Sequence, residues 1–86
     1  MTDSSTTLIT RSMTLNGRRT SVRVEAAVWD ALNEIAAREG VAVRDICARV
    51  DAAREESTLA ASLRIHVLRY FRTAAAASHA PGRGGA

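Results

Sequence analysis

Two hydrophobic periods follow one another along the chain. In "LNGRRTSVRVE", residues 15 to 25, an Asn-Gly pair is followed by strict alternation: Arg19 outward, Thr20 inward, Ser21 outward, Val22 inward, Arg23 outward, Val24 inward. A period of two is the mark of a β-strand with one face toward a core and one toward solvent. Asn-Gly favours a two-residue hairpin turn. Two readings of residues 11 to 15 are open. In the first, Ser12 to Leu15 form a partner strand, with Leu15 opposite Arg18 and Met13 opposite Thr20, so that Met13, Leu15, Val22 and Val24 share a face. In the second, these residues are an N-terminal arm leading into a single strand.

From Ala26 to Glu39 the period changes to 3.6. Val28, Leu32, Ile35 and Ala36 make one stripe flanked by Trp29, while Asp30, Asn33, Glu34 and Arg38 lie outside it. Gly40 follows as a helix-ending residue. A second helix is predicted from near Val43 to about Arg54, with Val43, Ile46, Cys47 and Val50 inward and Ala48, Ala52 and Ala53 favouring helix. Ser57 or Thr58 can cap a third helix, Leu59 to Arg72. Its apolar stripe (Leu59, Leu63, Val67, Tyr70 or Phe71) is broadened by Ile65 and Leu68, which predicts burial on two sides. The fold class is therefore mostly α, with a short N-terminal β-strand or hairpin and three helices.

Residues 1–10 and 74–86 are small, polar and glycine-rich at the end, and read as disordered tails around a domain at 11–73. A domain of about 60 residues buries only about 60% of its unfolded surface. Size alone thus leans toward a second copy sharing the core.

The net charge of +3 is unevenly laid out. Residues 1–24 carry four arginines against one acid, residues 25–56 four against eight, and residues 57–86 four against none. There is no lysine, so every side-chain cation apart from histidine is a planar guanidinium suited to phosphate or base edges. GC-rich coding accounts for the missing lysines equally well. On the helices, pairs such as Glu34 with Arg38 and Asp45 with Arg49 are ordinary i,i+4 partners on a solvated face. The strand arginines have no acid beside them within the strand, and an anionic partner is the reading that explains them.

A single cysteine leaves no internal disulfide, and no leader or apolar run of about 20 residues is present, so a cytoplasmic protein without membrane contact is expected. Catalysis is not expected. Cys47 falls on an apolar helical stripe, His66 lies between Ile65 and Val67, and His79 is in the tail; no metal-ligand spacing or phosphate-cradling glycine loop joins them. No cofactor follows from these residues.

The run "RRTSVRVEAAVWDALNEIAAREGVAVRDICARV" resembles the ribbon-helix-helix superfamily of bacterial DNA-binding proteins, the Arc and MetJ type of repressor. The short strand, the helix ending in Ala-Arg-Glu-Gly and the step through Gly40-Val41 into a second helix carry the resemblance. The preceding Asn-Gly and the later "SLRIHVLRYFR" are similar to a subgroup with an added C-terminal helix. The resemblance implies a strand-paired homodimer, with higher assembly on DNA open to it. Two strands would pair antiparallel across a two-fold axis and enter the major groove of double-stranded DNA. Arg19, Ser21 and Arg23, with the neighbouring Arg18, would contact DNA. Val22 and Val24 would close a dimer core with Leu32 and Ile46, and the start of helix two at Val43 and Arg44 would hold a phosphate. Ala42 stands where many members have Ser or Thr. Asp45 sits in the same first turn, where it favours the helix dipole and repels a phosphate. The expected role is transcription regulation by a bacterial repressor. The alternative is a dimeric protein-interaction module, adaptor or antitoxin-like, that meets a protein partner through the third helix.

Overall fold

The computed structural model describes residues 4–78. A short 3-10 turn (Ser4–Thr6) leads into strands β1 (Leu8–Leu15) and β2 (Arg18–Glu25), then helices α1 (Ala26–Glu39), α2 (Val43–Ala53) and α3 (Leu59–Ser78). Asn16 and Gly17 both take positive φ, 51° and 83°. Left-handed backbone at both central residues is what a type I′ hairpin turn requires, and it matches the twist of the flanking strands. The strands pair antiparallel with Leu15 opposite Arg18 and Met13 opposite Thr20, continuing to Leu8 opposite Glu25. The hairpin, and not the arm, is what residues 11 to 15 form.

The hairpin is longer than the sequence suggested. Leu8, Ile9 and Thr10, assigned to the N-terminal tail, belong to β1. Ile9 lies opposite Val24 on the inner face. Its carbonyl accepts a hydrogen bond from the Trp29 indole N–H at 2.9 Å, and the Ala26 N–H donates to the Thr7 carbonyl at 2.8 Å. These two bonds tie the start of β1 to the start of α1.

Helix α1 ends at Gly40 (φ 70°), whose N–H returns to the Ala36 carbonyl. In α2 the N-cap is Ala42, which has no side-chain acceptor; instead the Asp45 carboxylate accepts the Ala42 N–H at 3.0 Å. Thr58, and not Ser57, caps α3, its hydroxyl accepting from the Ala61 N–H at 3.1 Å. The helix continues past Arg72 through the alanine run to Ser78, because alanine carries the highest helix propensity. Residues 74–78 therefore leave the proposed tail. Residues 79–86, with His79, and residues 1–3 lie outside the described residues.

The inner face of the hairpin, one side of α1 and α2, and the first half of α3 enclose the core. Leu15, Val24, Leu32, Ile35, Ile46 and Leu63 have no accessible surface, and Val22 and Trp29 retain 2%. The expectation that α3 is buried on two sides is corrected: Ile65 and Leu68 are 46% and 53% exposed, because the helix packs on α1, α2 and β2 from one side only. Val22, Val24, Leu32 and Ile46 are covered within one chain, since β1 and α3 add the apolar surface that a lone strand and two helices lack. Their burial does not require a second copy. Among the described residues no helix is long and apolar enough to cross a membrane.

Candidate nucleic-acid interface

Period-two alternation sends every second residue of the hairpin to its outer face. On β2 these are Arg19, Ser21 and Arg23; on β1 they are Thr10, Ser12 and Thr14, and all six are exposed. The register sets them in three cross-strand pairs: Thr10 with Arg23, Ser12 with Ser21, and Thr14 with Arg19. The two serine hydroxyls are 3.5 Å apart. Among the described residues neither Arg19 nor Arg23 has an acidic or hydrogen-bonding partner. The acid at the end of this face, Glu25, is engaged by Arg64 at 2.8 Å. That hydrogen bond is the main reason the Glu25 carboxyl is held below its usual range.

A two-residue turn also decides where the backbone points. Leu15 and Arg18 close the first hydrogen-bonded pair, so Thr20, Val22 and Val24 direct their amides and carbonyls at β1. The backbone groups of Arg19, Ser21 and Arg23 then line the free edge of β2.

Arg18 is not brought to the outer face. The same alternation places it with Thr20, Val22 and Val24, and its guanidinium lies 3.5 Å from the Asp51 carboxylate on α2. Asp51 also accepts from Arg54 at 2.9 Å and from the Asn16 side-chain amide at 3.2 Å. The Arg54 bond first, and the Asn16 bond next, hold its carboxyl below the usual carboxylate range. Asn16 further donates to the Ala48 carbonyl at 3.1 Å. The turn is thereby fastened to α2.

At the start of α2, Arg44 is exposed and Val43 half-buried. The Ala42 amide beside this end is already taken by the Asp45 carboxylate, whose charge would repel a phosphate held by the Val43 and Arg44 amides. This terminus is a poorer anion site than a helix N-terminus usually is. The residues singled out as DNA contacts thus divide: Arg19, Ser21 and Arg23 share one open face, whereas Arg18 and the start of α2 lie apart from it, each with a carboxylate nearby. Thr10, Ser12 and Thr14, which share that open face, are not among those the sequence singled out. The signal that could have found them is the polar residue at every second position before the Asn-Gly turn.

Elsewhere the chemistry is quiet. Cys47 is fully buried, and burial pushes its thiol up to about 11, away from the thiolate that reactivity needs. No group of three or more His, Cys, Asp or Glu residues among those described could hold a metal ion. An open groove beside α3 is lined by Val50, Arg54, Ser57, Ile65, His66 and Arg69, and the His66 Nε2 is buried without a hydrogen-bond partner.

Residues 8–71 match the family model described as the ribbon-helix-helix domain, a span that begins where β1 begins. Among solved structures, an uncharacterised protein from Bordetella pertussis Tohama I is 34% identical, with a TM-score of 0.72, over 96% of this chain and 70% of that one. No curated protein matches the chain.

Proposed function

Because the chain belongs to the ribbon-helix-helix family, a family in general of DNA-binding regulators, we propose that it is a bacterial, cytoplasmic repressor whose hairpin enters the major groove of double-stranded DNA. Domains of this family are typically non-enzymatic. The observation that carries the reading is the outer face of the hairpin, where two guanidinium groups without partners among the described residues stand together with four hydroxyls and, among those residues, no carboxylate between them. Guanidinium groups on phosphates supply attraction that falls with salt, and those on base edges supply sequence choice. Regulation follows by occupancy of the site.

Arg23 lies nearer α1 and Arg19 nearer the turn. The expected division is that Arg23→Ala relaxes sequence preference and Arg19→Ala lowers affinity for all sequences, with a shallower salt slope. Titration of the parent and the Arg19→Ala/Arg23→Ala variant against random duplexes and a selected site, at low and raised salt, tests the reading. A folded double variant that binds as tightly as the parent would sink it.

A second reading is favoured by one specific observation. Ile65 and Leu68 are large apolar side chains left exposed on α3 beside the open groove. A protein-interaction module would meet its partner there. If the parent shows no salt-dependent affinity for any duplex, this reading replaces the first.

A further inference from the structure

We infer that Arg64 on α3 is a positioning residue of the DNA-binding face: it holds the Glu25 carboxylate off Arg23 and away from the nucleic acid. This rests on the DNA-binding reading above. It gives the third helix a part in recognition that β2, α1 and α2 do not supply.

The strand that carries the arginines ends in an acid. Alternation sets Glu25 on the same side of β2 as Arg19, Ser21 and Arg23. Two residues of strand separate it from Arg23 by about 7 Å, within reach of two long side chains. Left alone, this carboxylate would harm binding in two ways. It would pair with Arg23 and withdraw that guanidinium from bases and phosphates, or it would meet the phosphates itself, where like charges repel.

The fold sends it elsewhere. The Arg64 Nε–H donates to Glu25 Oε1 at 2.8 Å, across 39 residues of sequence. Arg23 is left without an acidic partner among the described residues. Lowering of the Glu25 carboxyl below its usual range, with the Arg64 bond as its main cause, fits a carboxylate committed to this partner.

Structural duties account poorly for the pair. Glu25 is the N-cap residue of α1, yet its side chain makes no capping hydrogen bond. The two side chains keep 42% and 32% of their surface, Arg64 first, and ion pairs as open as this contribute little to stability. Across the hairpin from Glu25 stands Leu8, which brings no charge. What the contact does change is the sign of the charge beside Arg23. With Arg64 in place the end of the face is a neutral pair; without it, a bare carboxylate. Both residues belong to one chain, so in a ribbon paired between two chains each β2 keeps its own Arg64.

The test uses the full chain, a duplex selected from a random library and a random duplex, at low and raised salt. Circular dichroism fixes a temperature at which every variant is folded, and titrations run there. Arg64→Gln should weaken binding about tenfold at low salt, since it bares a carboxylate at the interface. The loss should shrink as salt rises. Glu25→Gln/Arg64→Gln, which removes both charges, should return affinity to within about twofold of the parent. If Arg64→Gln binds like the parent, the inference is overturned and the DNA-binding reading stands. If the double variant binds as weakly as Arg64→Gln, Arg64 acts by some route other than Glu25, and the inference is again overturned. If the parent shows no salt-dependent affinity for either duplex, the DNA-binding reading falls and takes this inference with it.

Discussion

The two faces of the β1–β2 hairpin are built from alternate residues of the same two strands, yet they share almost no physics. The inner face is sealed where it is apolar, with Leu15, Val22 and Val24 at 2% exposure or less, and its charged positions, Arg11 and Arg18, reach solvent. The outer face is hydroxyl and guanidinium, open to solvent and without acidic partners among the described residues. Burial of apolar surface holds the inner face, at about 25 cal/mol per Å² removed from water. Nothing comparable holds the outer one. A strand can therefore divide its duties residue by residue, stability on one set of alternate positions and recognition on the other, and the two should be separable by mutation.

The sharpest way to break this comparison is to place one carboxylate on neighbouring residues. Val22→Asp puts an unpaired charge into the core and should cost about 3–5 kcal/mol, a large part of the roughly 5–15 kcal/mol typical of a whole domain. Ser21→Asp should leave the thermal melt within about 0.5 kcal/mol of the parent and abolish affinity for duplex DNA. Circular dichroism melts paired with gel shifts on both variants check the two halves; equal loss of stability would erase the distinction.

Next in size is the far wall of the inner face. Leu63 on α3 has no accessible surface, and Leu63→Ala should cost about 2–5 kcal/mol. A urea midpoint unchanged from the parent would show α3 to be detachable from the core. Smaller again is Asn16→Ala, which removes the bonds to Ala48 and Asp51 and leaves a non-glycine residue at φ 51°. A loss of about 1–2 kcal/mol is expected from hydrogen bonds of this kind, and hydrogen exchange in β1 should rise.

The smallest effects come with pH. Glu25 and Asp51 titrate below their usual values when folded, so each stabilises the fold above its unfolded value and loses that contribution as pH falls through the depressed one. The Glu25–Arg64 pair is open to solvent and its part of the acid limb should be shallow and weaken in salt, whereas the Asp51 carboxylate is 5% exposed and screened less. Cys47 has the opposite sign. Its thiol is raised from 9.0 to about 11, so its contribution is present below 9.0 and lost as pH rises through about 11. Urea midpoints from acid to alkaline pH should show both limbs, and Cys47→Ala should flatten the alkaline one alone.

Much of this architecture was legible before any coordinates. The 3.6 period located α1 and α2 almost to the residue, and Asn-Gly offered the hairpin register as one of two open readings, because those signals are local. What stayed hidden depended on contacts between distant residues. Leu8 to Thr10 did not read as strand partly because the inner position Arg11 breaks the apolar alternation. In the fold its guanidinium lies over the Trp29 ring at 5.3 Å, which makes a charge tolerable there. The alanines after Arg72 read as tail because they have little to bury, though their propensity alone carries the helix onward. A second chain looked necessary to cover the valines because size cannot reveal that β1 and α3 fold back over them; the dimer in which the family binds DNA rests on other surfaces than their burial. Of the candidate site, Arg19, Ser21 and Arg23 followed from alternation. Arg18 does not join them on that face because the same alternation, carried one step further back, places it with Thr20 and Val22.

The Asn16-Gly17 turn has a consequence in time as well as in shape. A ribbon closed by two residues forms by a first-order event, on the scale of about 1–10 μs for a hairpin. A ribbon assembled from two molecules waits for them to collide and comes apart on dilution. With both strands in one polypeptide, and its pairs close in sequence, the β1–β2 pairing itself does not depend on concentration.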